Sequence, residues 1–143
     1  MSIIDTLITD RTQADVEALK ALYAKPKATW TAAEWDSFLL ANHKGAYNAS
    51  DFNRVQEAMF YIVEYFRALG IKVDGIVELP VFSMGQLPTE SAFPPYFTNV
   101  ARMREVLAQY AEPLDVPPDI QSITPELANN IEIILLRIEN ILQ

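Results

Sequence analysis

The chain has no cysteine, which excludes disulfide frameworks, thiolate metal sites and cysteine nucleophiles and leaves the redox compartment unmarked. It has a single histidine, His43, in the turn His43-Lys44-Gly45. No second imidazole and no carboxylate stands at ligand spacing around it, so an exposed turn residue accounts for it better than a catalytic base or a metal ligand. Glycine is scarce too: Gly45, Gly70, Gly75 and Gly85 are too scattered to form a phosphate cradle and fit turns. Basic residues number 11 against 19 acidic ones, the net charge is −8, and the cations do not cluster, so a nucleic-acid backbone would be repelled. No apolar run approaches a membrane span, and the start Met1-Ser2-Ile3-Ile4-Asp5 lacks the basic head and apolar core of a signal peptide. Neither a nucleic-acid nor a membrane partner is expected, and synthesis is expected in the cytoplasm.

What is present is apolar residue at helical spacing. Phe52, Val55, Met59, Ile62, Phe66 and Leu69 form one set; Tyr96, Val100, Met103, Leu107 and Tyr110 a second; Leu127, Ile131, Ile134, Ile138 and Ile141 a third. Steps of three and four residues put each set on one stripe of a helix. With 143 residues, half of them apolar, the chain can bury a core as one domain. The expected fold is mainly α: a helical bundle of about five helices, residues 10–143, preceded by an N-terminal docking arm, residues 1–9.

Local signals place the elements. Thr12 caps a first helix by accepting from the amide of Asp15, and Val16, Leu19, Leu22 and Tyr23 share one of its faces until Lys25-Pro26-Lys27 ends it. Thr31 and Glu34 form a capping box, with Trp30 and Trp35 at the positions of a hydrophobic staple, so a second helix starts there. Asn48 or Ser50 caps a long third helix that stops at Gly70. From Ile71 the period changes: alternation around Asp74-Gly75 predicts a small β-ribbon at 71–79 or an irregular connection, which could also cross over and reorder the bundle. Pro95 suits the first turn of a fourth helix, and Thr124-Pro125 opens the last.

Reaction chemistry finds little material. Glu57 and Glu64 lie two turns apart on a polar face, Asp115 and Asp119 straddle prolines without the spaced oxygens of a calcium loop, and no serine sits in a nucleophile elbow. No catalytic residue, metal or cofactor is expected. The arm residues Ile3, Ile4, Leu7 and Ile8 are too apolar for a free tail and are candidates for partner binding. So are Phe60, Ile133 and Leu136, which fall among polar residues opposite the core stripes.

Two stretches carry a resemblance. The run from Thr6 to Val16 (Thr6-Leu7-Ile8-Thr9-Asp10-Arg11-Thr12) and Lys44-Gly45-Ala46-Tyr47-Asn48, leading into Asp51-Phe52-Asn53-Arg54-Val55, are similar to a small module of phage and prophage structural proteins, mostly from Gram-positive bacteria. The likeness continues through Pro88-Thr89 and Asn99-Val100 to the helix that begins at Leu127. It implies an assembly role in a tail, baseplate or connector, no catalytic residues, a virion location, and partners among other virion proteins and further copies of the chain. Arg11, Asn48, Asp51, Asn53 and Arg54 would then be structural ties, Arg11 to a carboxylate of the same chain. Related sequences carry a longer tail after the last helix; its role is expected to be absent here or supplied by another protein. The alternative is a free cytoplasmic helical adaptor or regulator that binds one partner protein through Phe60, Ile133 and Leu136.

Overall fold

The computed structural model describes residues 3–40, 44, 47, 49–79, 93–112 and 114–142, with side chains left undescribed at 37–40, 49, 93, 120 and 142. The expectations for His43 and Asn48 lie outside the described residues. The chain is a mainly α bundle of five helices: α1 (Gln13–Ala24), α2 (Ala32–Leu40), α3 (Ala49–Ala68), α4 (Phe93–Ala108) and α5 (Pro125–Leu142). Short 3₁₀ turns occupy Ile3–Thr6, Lys27–Thr29 and Ile120–Ser122.

The helices start where side chains satisfy their first amides. Thr12 accepts from the Asp15 amide while the Asp15 carboxylate accepts from the Thr12 amide at 2.8 Å, a complete capping box on α1. Thr31 and Glu34 repeat the exchange on α2 at 2.8 and 3.2 Å, and the Trp30 and Trp35 rings of the staple lie 4.9 Å apart. Thr124 caps α5 by accepting from the Leu127 amide at 3.1 Å. At the far end of α3, Gly70 takes φ 80°, donates to the Arg67 carbonyl at 3.0 Å, and lets Ile71 reach the Phe66 carbonyl at 2.9 Å. That left-handed closure satisfies carbonyls the helix leaves open, and glycine adopts it without a Cβ penalty.

The core lies between α3, α4 and α5. Phe52, Val55, Met59, Ile62 and Phe66, then Tyr96, Val100, Met103 and Leu107, then Ile131, Ile134 and Ile138 are buried together, joined by Leu135 from the flank of α5. Among the described residues, none of the buried or half-buried apolar side chains of this core comes from α1 or α2. Trp30, between those two helices, is buried and donates from its indole to the Leu22 carbonyl at 3.2 Å.

The path between α3 and α4 is a crossover. Phe52 and Tyr96 each sit at the fourth position of their helix, yet their rings are 4.7 Å apart, so the two helices begin at the same end of the bundle. A helix as long as α3 spans roughly 30 Å, and the chain has to return over that length before α4 starts. The described part of that return, residues 71–79, runs against α4 itself. Arg102 donates to the Asp74 carbonyl at 2.6 Å, and the Asn99 side chain accepts from the Val77 amide at 2.9 Å and donates to the Val77 carbonyl at 2.7 Å. The β-ribbon expected at 71–79 is therefore absent: among the described residues there is no strand. Asn99 takes both backbone groups of Val77 that a ribbon partner would need, and Gly75, at φ 88°, turns the chain against Arg102 instead of closing a hairpin.

Candidate functional site

The most concentrated chemistry of the chain sits where the arm meets the first turns of α3. Asp51 and Arg54 face inward one turn apart on α3, Glu132 reaches in from α5, and Arg11 comes from the residue before the α1 cap. Arg11 Nη2 donates to Glu132 Oε2 at 2.7 Å and to Asp51 Oδ1 at 3.0 Å. Arg54 grips Glu132 with two parallel bonds, Nε to Oε1 at 2.7 Å and Nη2 to Oε2 at 3.0 Å, and also donates to Asp51 at 2.6 Å. Two guanidiniums and two carboxylates balance in charge, and Glu132 has no exposed surface at all. Such a set is stable only when nearly every lone pair is used, because each ion has lost its water.

The supporting contacts are as specific. The Ile8 amide donates to Glu132 at 3.0 Å, and Asn129 exchanges two bonds with the Arg11 backbone, accepting from its amide at 2.9 Å and donating to its carbonyl at 2.8 Å. Arg11 Nη1 donates to the Ile8 carbonyl at 3.1 Å, and the guanidinium stacks 5.6 Å from the Tyr47 ring. Arg11 Nε has no partner among the described residues. The Tyr47 and Tyr96 hydroxyls share a short hydrogen bond, and Tyr47, Phe52, Tyr96 and Phe97 meet edge to face.

Electrostatics follow the burial. For Arg54, desolvation works against the charge, but the bonds and attraction of Glu132, then of Asp51, outweigh it and hold its pKa above the ordinary arginine value. Burial pushes both Tyr47 and Tyr96 well above the usual phenol range. In Tyr96 the neighbouring Tyr47 adds to that effect, and Glu132 and Asp51 add to it in both. Among the described residues no group of three or more His, Asp or Glu side chains could hold a metal ion.

The arm docks on its own chain. Ile4 is in the core, Ile3 and Leu7 pack against it, and the 3₁₀ turn at Ile3–Thr6 lies against α3 and α5. Phe60, Ile133 and Leu136 are each partly buried, Leu136 against the core, so they form a weaker exposed patch than their helical positions suggest. Asn53 is half-buried beside the lattice residues of α3. Glu57 and Glu64 are solvent-exposed, Glu64 paired with Arg67. Asp119 caps the turn at Ile120–Ser122 by accepting from the Ser122 amide at 2.9 Å.

Glu132 and Asn129 are the lattice members that sequence reasoning misses, since helical periodicity assigns both to the polar face. A signal was there: Asn129 and Glu132 on one helix and Asp51 and Arg54 on another repeat the same three-residue spacing, as facing polar patches would. The exposed apolar residues also stand elsewhere than expected. Leu69, Tyr110 and Ile141, the last member of each core stripe, are 55%, 52% and 43% exposed, with Ile71 at 41% beside the first. Comparison with known proteins yields no match to any family model, to any curated protein or to any solved structure.

Proposed function

We propose that this chain is a structural subunit of a phage or phage-derived particle, placed in the tail, baseplate or connector and working through protein contacts in a symmetric assembly. The observation that carries the reading is the apolar finish of the core stripes: Leu69, Ile71, Tyr110 and Ile141 leave large apolar surface at the C-terminal ends of α3, α4 and α5. Exposed apolar residues of this kind suit burial against another subunit. The charged residues lend support from the other direction. Arg11, Asp51 and Arg54, which belong to the two motifs that resemble phage structural modules, bind one another and Glu132 within the chain, so their charge serves architecture.

Light scattering over a concentration series tests the reading, together with mass spectrometry of particles from the source of the gene. A discrete multimer, reduced to monomer by Leu69→Ser with Tyr110→Ser, is the expected result. A chain that stays monomeric at high concentration and is missing from particles would overturn it.

A further inference from the structure

We propose that the groove between α3 and α5 receives residues 3–11 of a second copy of this chain, so that neighbouring subunits are joined by exchanged N-terminal arms. This inference rests on the assembly reading above and adds an exchanged arm to the contact made by the apolar helix ends. Three features of the structure carry it.

First, the groove recognises this particular segment. It takes Ile4 into the core, fixes the Ile8 amide on Glu132, reads the Arg11 backbone through both groups of the Asn129 amide, and closes on the Arg11 guanidinium with two carboxylates. Without the arm it holds Asp51 and Glu132 against Arg54 alone, a net negative site that lacks one cation. The arm brings that cation, so charge and shape are complementary whichever copy supplies it.

Second, the arm supplies an apolar attachment for the chain before α3. Among the described residues, the buried and half-buried apolar side chains of the core include Ile3, Ile4 and Leu7 of the arm and none from α1 or α2, and the exposed Lys44 to Asp10 pair at 2.9 Å adds a surface tie.

Third, exchange reuses every bond. The same Ile4, Ile8 and Arg11 contacts form in either arrangement, so the closed monomer and the exchanged oligomer differ mainly in chain entropy and in whatever new contacts the copies make. High local concentration favours the exchanged form, the usual route by which a terminal segment becomes a link between identical subunits.

The chain's lack of cysteine makes the test direct. Asp5→Cys and Arg137→Cys place two thiols at exposed positions, one on the arm and one on α5, away from the lattice. The full-length double variant, labelled with a donor and acceptor dye, is unfolded and refolded at high concentration, alone and with a hundredfold excess of unlabelled chain. Exchange predicts that energy transfer within the labelled chain falls severalfold in the diluted oligomer, because its arm now lies on an unlabelled neighbour. Unchanged transfer in an oligomer overturns arm exchange and leaves the assembly reading standing. A monomer at every concentration, with transfer unchanged, overturns arm exchange, and absence from particles as well overturns the assembly reading.

Discussion

Replacing Glu132 with glutamine removes one charge from the lattice while keeping the shape of the side chain. In the native chain Glu132 accepts four bonds: from the Ile8 amide, from Arg11 Nη2, and from Arg54 Nε and Nη2. In the variant one carboxylate oxygen becomes an NH₂ group that faces donors, and Asp51 is left to neutralise two guanidiniums. Hydrogen bonds to charged groups are worth about 1.5–3 kcal/mol each, but their sum overstates the loss because water enters a broken site. Breaking a buried ion pair by removing one partner costs about 3–5 kcal/mol, and that is the expected destabilisation. In a chain of this size it corresponds to a fall in Tm of about 6–20 °C. Urea unfolding followed by far-UV circular dichroism measures it. Arg11→Met and the double variant complete a cycle, in which the two losses should be non-additive by more than ~1 kcal/mol, as contacting residues are. Glu64→Gln, at an exposed pair with Arg67, serves as the comparison and should change stability by less than ~1 kcal/mol. If Glu132→Gln costs no more than Glu64→Gln, or the cycle is additive, the lattice does not hold the arm as argued.

Three further outcomes are expected. Asn99→Ala should cost about 1–2 kcal/mol, since it removes two hydrogen bonds to Val77 made by a fully buried side chain, and hydrogen exchange at the Val77 amide should accelerate. Leu107→Ala, at a position with no exposed surface in the central core, should cost about 2–5 kcal/mol by denaturant unfolding. The third concerns pH. Tyr47 and Tyr96 bind their protons more tightly when folded, so their contribution is intact below the phenol value of 10.0 and declines as pH rises toward their folded values. Unfolding midpoints should therefore fall above pH 10, and Tyr47→Phe with Tyr96→Phe should flatten that alkaline limb.

The elements whose causes are local were legible in the sequence. The Thr12 cap, the Thr31–Glu34 capping box, the Trp30–Trp35 staple, the Gly70 stop and the core stripes each depend on residues within one or two helical turns, and each stands in the structure as its spacing implies. The misreadings come from contacts that local spacing does not encode. Glu132 sits among polar residues on its own helix and becomes interior only because Arg11 and Arg54 arrive from elsewhere. The 71–79 stretch reads like a strand, yet the apolar residues that pack against the core are Val73, Ile76 and Leu79, three apart, and its backbone bonds go to side chains of α4. Likewise Leu69, Tyr110 and Ile141 continue the helical rhythm of their stripes but lie past the buried length of the bundle.

The lattice also bears on the order in which the chain can fold during synthesis. Arg11 and Glu132 are 121 residues apart, and Ile8 and Glu132 are 124 apart, so the arm has no seat until α5 has left the ribosome. Closing so long a loop comes late, after the local helices and their caps. Until then the nascent chain carries a cation without its second carboxylate and an apolar arm without its groove. Any product that terminates before α5 lacks the means to bury either, and is exposed to chaperones and proteases from the moment it is released.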